Sequence, residues 1–213
     1  MMLWDSLYQR DGLRYGDKPS MCARMASPLL GEARTVLEVG AGYGRDAIWL
    51  AERLPTVTIT ALDSSPTATR MLDRRPVANV IPVCQDAFDW INGVAFDALL
   101  SNFFYHIFLR AQRQRLFQRA HVALESYGLF INSFISIEDE KYGRGRDVEP
   151  GTYACYPDRP WHFIHFYSAQ ELVREHLTSG FEVEHIEEAT EGEYICGSIE
   201  QTRFWFVVAR KTD

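Results

Sequence analysis

The chain has 213 residues, of which 46% are hydrophobic and 24% charged, and its formal net charge is -7. This length is enough for one domain with a full core, and the composition is that of an ordinary globular protein. The acidic balance argues against a dedicated nucleic-acid binder, which shows a basic face. No apolar run approaches the length of a membrane span.

The first residues, Met1-Met2-Leu3-Trp4-Asp5, lack a basic region followed by an apolar one, so no signal peptide is expected. Four cysteines occur, Cys22, Cys84, Cys155 and Cys196, with no C-x-x-C pair. Reduced thiols and a cytoplasmic location are the default expectation. Cys84 falls in an apolar strand and reads as a small core residue.

From residue 35 to about 135, strand and helix patterns alternate. Thr35–Val39 reads as the first strand. Val57, Ile59 and Ala61 alternate with Thr58 and Thr60 in a second strand that ends at Asp63. Ser65-Pro66 is a helix start, a hydroxyl cap followed by proline at the first helical position. Val80–Cys84 and Phe96–Ser101 are the third and fourth strands, Arg110–Glu125 a helix, and Gly128–Ile137 the fifth strand. Repeated units of this kind predict a parallel sheet with helices on both faces, an α/β doubly wound fold. Ser168-Ala169-Gln170-Glu171 is a capping box opening a helix to about Ser179, which Gly180 stops. Strands near Phe181–Glu188 and Thr202–Arg210 follow with no helix between them, so they should pair antiparallel. The run Glu182–Glu193 carries six glutamates and reads as a solvated face. The whole, 1–213, reads as a single domain.

The most informative stretch is Glu38-Val39-Gly40-Ala41-Gly42-Tyr43-Gly44. A strand enters a glycine-rich turn, and a helix with Ala47, Ile48, Leu50, Ala51 and Leu54 on one face leaves it. Glycines let the backbone approach a ligand, and the N–H groups of the helix start favour electron-rich atoms. A dinucleotide fingerprint spaces its glycines as G-x-G-x-x-G; here Arg45 stands where that third glycine belongs, and the pattern is E-x-G-x-G-x-G. It resembles the first motif of class I S-adenosylmethionine (SAM) dependent methyltransferases, and the resemblance extends well over residues 35–137 and more loosely over the tail.

Several expectations follow from the resemblance. The sheet should have seven mostly parallel strands in the order 3-2-1-4-5-7-6, with an antiparallel final strand and an N-terminal helical cap. SAM, leaving as S-adenosylhomocysteine, should meet Glu38, Gly40, Ala41, Gly42, Asp63, Ser64, Asp86, Ala87, Asn102 and Tyr15. Asp63 ends the second strand where the family places an acid on the ribose hydroxyls, and one carboxylate can accept from both. Asp86 and Ala87, after the third strand, match the family's adenine contacts; a dinucleotide site does not need that acid. As an alternative role, Asp86 reads as a helix N-cap. Trp4, Tyr8, Arg14-Tyr15-Gly16 and Pro19-Ser20 resemble the leader of small bacterial methyltransferases of the tellurite-resistance type, and residues 1–34 would then close over the cofactor.

The chemistry should sit beyond the fourth strand, at Phe103-Phe104-Tyr105-His106. These residues do not form the N-P-P-Y type motif of enzymes that methylate nucleic-acid bases or protein glutamine, which points to a small-molecule acceptor (O, N or S) with no nucleic-acid or membrane partner. Methyl transfer from a sulfonium needs mainly positioning and desolvation, and a base only when the acceptor carries a proton. His106 is the base candidate, with Tyr105 and Asn102 orienting the acceptor. The stretch 138–166 reads as a substrate lid. It carries Gly143, Gly145 and Gly151, the aromatics Tyr142, Tyr153, Tyr156, Trp161 and Phe163, and the cations Lys141, Arg144 and Arg146. Cys155, Asp158, His162 and His165 show no full ligand set at a known spacing, so no metal is expected. The other readings are a metalloid or thiol detoxifying methyltransferase, a NAD-dependent oxidoreductase, and a SAM-binding regulator without turnover, as monomer or homodimer.

Overall fold

The computed structural model describes residues 2–90, 93–155, 162–195 and 197–213. Helix α1 (Met2–Asp11) and the short α2 (Met21–Ala26) precede the sheet. The alternating units are β1 (Thr35–Val39), α3 (Arg45–Arg53), β2 (Thr58–Asp63), α4 (Pro66–Asp73), β3 (Val80–Cys84), β4 (Phe96–Ser101), α5 (Arg110–Ala123) and β5 (Leu124–Ile135). Three short strands follow, β6 (Arg146–Glu149), β7 (Thr152–Ala154) and β8 (Ile164–His165). The chain then forms α6 (Ala169–Thr178), β9 (Phe181–Ile195) and β10 (Ser198–Lys211).

The seven-stranded sheet has the order β3-β2-β1-β4-β5-β10-β9. This is the expected 3-2-1-4-5-7-6, with β9 and β10 as its sixth and seventh strands. β10 runs antiparallel to both neighbours, and the other pairings are parallel. Helices cover both faces, so the central strands are buried on both sides. On one face α2 and α3 pack Cys22, Leu50 and Phe206 together. On the other, α5 and α6 pack Leu116, Phe117 and Leu172 against Phe130, Phe134 and Phe181.

Local chemistry sets the helix starts. Ser65 Oγ accepts from Ala68 N at 3.1 Å, with Pro66 at the first helical position. Ser168 Oγ accepts from Glu171 N at 3.2 Å, while the Glu171 carboxylate bonds His165 Nε2 at 3.1 Å. The predicted box is therefore made on the Ser168 side, and its acid is used to tie β8 to α6.

Three expectations are corrected. β5 begins at Leu124, and its register against β4 shifts around the left-handed Tyr127 before regular pairing resumes at Leu129. Cys84 is exposed because β3 is the edge of the sheet. The final hairpin continues as paired strand to Ile195 and Ser198, so most of Glu191–Gly197 is ladder and not a connecting loop. Within it Glu191 is buried, accepting from Met21 N at 2.6 Å and from Arg24 at 3.3 Å. The glutamate run is thus not solvated throughout.

Candidate active site

The carboxyl ends of β1, β2, β3 and β4 open into one cleft, as expected for an open α/β sheet. Glu38, Gly40, Ala41, Gly42, Asp63, Ser64, Asp86, Ala87, Asn102 and Tyr15 all line it, together with His106. The glycine turn is shaped for close approach. Gly40 has φ +74°, and a Cβ there would lie 2.5 Å from the Phe104 ring; Gly42 has φ +57°, and its Cβ would lie 2.7 Å from Tyr8 Oη. Gly44 serves packing instead, since its Cβ would meet Leu72 of α4.

Asp63 is held by two backbone donors, Gly42 N and Ser65 N, each at 2.8 Å. Burial nevertheless raises its carboxyl above the usual range. Asp86 Oδ1 accepts from Phe88 N at 2.9 Å. It opens a turn and not a helix, so its N-cap reading gives way to an Asx turn. Glu38 is 4% exposed, and its Oε2 has no hydrogen-bond partner among the described residues. Burial, with Asp46 nearby, pushes its carboxyl well up. A buried acid of this kind suits an ammonium or hydroxyl donor from a ligand.

The leader lies over this end. Asp5 Oδ1 accepts from Ser65 Oγ at 2.7 Å and Thr67 N at 2.8 Å, fixing α1 on the start of α4. Tyr43 Oη donates to Gly16 O at 2.7 Å, Arg45 donates to Tyr15 O at 2.9 Å, and Asp46 accepts from the N and Oγ of Ser20 at 2.7 Å each. Trp4 and Tyr8 thereby join the lining. The Tyr43-Gly44-Arg45-Asp46 stretch, read only as the end of a glycine motif, also anchors the leader.

At the far end, Phe103 has φ +49°, a left-handed backbone rare for a bulky residue. Its N–H donates to Ser133 Oγ at 2.9 Å, and that hydroxyl donates to Asn102 Oδ1 at 2.7 Å. Such strain concentrates at functional sites. Here it sets the Phe103 ring edge-on to His106, with centroids 5.7 Å apart. His106 is 4% exposed, and its Nδ1 has no partner among the described residues. Burial, followed by the charges of His162, His165 and Arg113, pulls its pKa down to about 3.

Tyr105 corrects the expectation that it faces the acceptor. The turn Tyr105–Ile107 sends its side chain into the core beside Phe117, Phe130 and Phe134. Adjacent residues of a tight turn diverge, so of Tyr105 and His106 it is His106 that reaches the cleft. In the stretch 138–166, β6, β7 and β8 form a separate small sheet. Tyr142, Tyr153 and Phe166 pack on one another, and Arg144 and Arg146 are exposed. Among the described residues of this stretch, Lys141, His162 and Ile164 line the cleft. Tyr156, Asp158 and Trp161 lie outside the described residues. The small sheet is held from below by buried Arg113, whose guanidinium meets Glu149 at 3.0 Å and Glu175 at 3.7 Å. His165 bonds Thr152 Oγ1 at 2.8 Å and Glu171. Among the described residues no group of three His, Cys, Asp or Glu side chains is placed to hold a metal. The last hairpin adds Ile195, Glu200 and Thr202 to the lining; the first two lie beyond the ends of the strands expected from the sequence.

The sheet order and the cleft beyond its strand ends define a Rossmann-like fold. Residues 36–128 match the model of the methyltransferase domain. A solved structure concerned with the conversion of a disulfide bond into a thioacetal group during echinomycin biosynthesis is similar to it. That structure is 21% identical with a TM-score of 0.75, over 98% of this chain and 91% of the other. The 1,6-didemethyltoxoflavin-N1-methyltransferase of Burkholderia thailandensis, bound to 1,6-didemethyltoxoflavin and S-adenosylhomocysteine, is 21% identical with a TM-score of 0.66, over 97% and 81%. The CcbJ methyltransferase of Streptomyces caelestis is 17% identical with a TM-score of 0.70, over 98% and 96%. At these identities the likeness is one of fold. No curated protein matches the sequence. No helix among the described residues is long and apolar enough to cross a membrane.

Proposed function

We propose that this enzyme methylates a small molecule bound between Phe103, His106, Ile135 and Ile164. The observation that carries the reading is the continuity of one cleft from Gly40, Asp63 and Asp86 to His106. SAM supplies a methyl group already activated on a sulfonium. In this reading Gly40, Ala41 and Gly42 cradle the methionine part, with Glu38 and Asn102 beside it. Asp63, with Ser64 next to it, accepts from the ribose hydroxyls, and Asp86 and Ala87 meet the adenine. Tyr15 and the leader exclude water, which raises the rate of an in-line displacement chiefly by holding and desolvating the reactants. The three described cysteines, Cys22, Cys84 and Cys155, are free thiols, which accords with a cytosolic setting.

Calorimetric titration with SAM, S-adenosylhomocysteine and NAD in parallel tests the cofactor assignment. Binding of the first two at about micromolar affinity, with none for NAD, is expected. Incubation with methyl-deuterated SAM and a panel of small molecules then shows any labelled product by mass spectrometry. Binding of NAD alone, or labelling of protein or RNA in place of small molecules, overturns the reading.

A further inference from the structure

The crossover from β3 to β4, residues 85–95, departs from the rest of the sheet. Parallel strands are usually joined by a helix that packs on the sheet face. The described residues of this crossover form turns and no helix. A second cavity of about 360 Å³ lies beneath it, a volume within the range of small-molecule sites. Its floor is the sheet face at Leu37, Val39 and Leu99. Leu116 and Ala120 of α5 form one wall, and Trp90 of the crossover forms another. Val94 and Val122 are exposed at its rim.

One polar group interrupts this apolar lining from within. Tyr105 lines this cavity and not the main cleft, and it is 1% exposed. The buried phenols of Tyr43 and Tyr167 are matched, donating to Gly16 O at 2.7 Å and to Glu175 at 3.1 Å. Tyr105 Oη has no such partner among the described residues, and burial alone raises its pKa above that of an ordinary phenol. It therefore stays a hydrogen-bond donor at every working pH. Phenylalanine would fill the same place in the core without the cost of an unmatched hydroxyl. Unlike His106 Nδ1, this oxygen is not sealed off, and the surface it keeps opens on the cavity. Arg119, also on the lining, is already donating to Trp90 O.

The crossover is also the partition between the two cavities. Leu62 and Ala87 line both. The carbonyl of Asp86 accepts from Asp89 N at 3.0 Å and from Trp90 N at 2.9 Å. Asp86 on the cleft side and Trp90 on the cavity side thus belong to one hydrogen-bonded turn.

We propose that this cavity is a second ligand site, for a small aryl compound whose carbonyl oxygen accepts from Tyr105 Oη, and that its occupant braces the Asp86–Trp90 turn and so tightens the cofactor. The aryl ring packs on Trp90 and the leucines of the floor. The carbonyl gives the buried hydroxyl the partner it lacks. The site stands on its own geometry, while the coupling rests on the cofactor reading above. Coupling of this kind is reciprocal, so the cofactor must tighten the aryl ligand by the same factor.

The test uses the full chain and two probes of one shape, acetophenone and α-methylstyrene, in which a CH₂ replaces the carbonyl oxygen. Amide NMR should show saturable shifts centred on Trp90, Ala95 and Leu116. Acetophenone should bind about fivefold tighter than α-methylstyrene. In Tyr105→Phe that preference should vanish while the hydrocarbon still binds. Ala120→Leu, which fills the cavity from α5, should remove binding of both. Saturating acetophenone should tighten S-adenosylhomocysteine about fivefold by calorimetry, and the reverse titration should give the same factor. No saturable binding, equal affinities for the two probes, a preference that survives Tyr105→Phe, shifts centred on the main cleft, or an unaltered S-adenosylhomocysteine affinity would each overturn the proposal. Failure of S-adenosylhomocysteine to bind under any condition is a separate result. It sinks the methyltransferase reading and the coupling with it, and the two probes and two variants then decide the cavity alone.

Discussion

At the end of the cleft proposed for the cofactor, each candidate residue lies at or just after the end of its strand: Gly40 after β1, Asp63 at the end of β2, Asp86 after β3 and Asn102 after β4. At the acceptor end, Phe103 and His106, Lys141, Ile164 and the hairpin residues Ile195 and Glu200 come from segments far apart in the chain. The first end is set by backbone geometry at parallel strand ends. The second is set by side-chain packing between a small sheet, a hairpin and buried charges. Geometry at strand ends is local and repeats between proteins of one fold; packing of remote segments does not.

The sharpest way to separate the two ends is to remove the support of one. Arg113 is 1% exposed and neutralises Glu149 and Glu175 under the small sheet. Arg113→Met leaves both carboxylates without their guanidinium, and breaking a buried pair costs about 3–5 kcal/mol. Thermal unfolding should fall accordingly, and hydrogen exchange should rise first in β6, β7 and β8. A uniform rise through β1 and β2 as well would show that the two ends are one cooperative unit.

Acid should act in the same half. All six histidines lie at or after residue 106. Burial lowers His176 from 6.5 to about 4 and His106 from 6.5 to about 3. Both are neutral in the folded state and protonate in the unfolded state once the pH falls below about 6.5. The unfolded state then binds more protons, so stability is full above about 6.5 and is lost as the pH falls towards 4. His176 alone accounts for roughly 3 kcal/mol of that loss, at 1.36 kcal/mol per unit. Chemical unfolding at a series of pH values should show this slope, and His176→Phe should reduce it.

The cofactor end should fail in its own way. Gly40→Ala places a Cβ 2.5 Å from the Phe104 ring at φ +74°. Strain and displacement together cost about 2–3 kcal/mol, so S-adenosylhomocysteine affinity should drop roughly thirtyfold or more. Binding of the methyl acceptor should change far less. An equal drop at both ends would mean that Phe104 couples them.

These differences explain what the sequence made legible. The strand ladder could be placed because strand period is a short-range signal, and the ten positions that line the cleft came through the resemblance carried by the glycine turn. Tyr105 and His106 could not be told apart, because a tight turn after β4 has no period to say which side chain enters the core. Glu191 was unreadable for another reason. Its burial depends on the main-chain N–H of Met21, which only the folded leader brings to it. Ile195 and Glu200 were out of reach too, since Thr190-Glu191-Gly192-Glu193 breaks the alternation past Glu188.

The contact between leader and glycine turn offers the smallest and cleanest test. Gly42→Ala brings a Cβ within 2.7 Å of Tyr8 Oη but 3.4 Å from the ring carbon behind it. Tyr8→Phe removes the oxygen and leaves ordinary van der Waals contact. In Gly42→Ala the leader must lift, and the cofactor should dissociate faster. Adding Tyr8→Phe should recover about 1 kcal/mol of that loss, because the two side chains touch and so do not behave additively. The remaining loss belongs to the positive φ at Gly42, which no change in the leader can relieve. Stopped-flow release of S-adenosylhomocysteine from the four members of the cycle measures it. Strict additivity would mean that the leader is displaced from the turn when the cofactor is bound, and the cofactor end would then owe its enclosure to the strand ends alone.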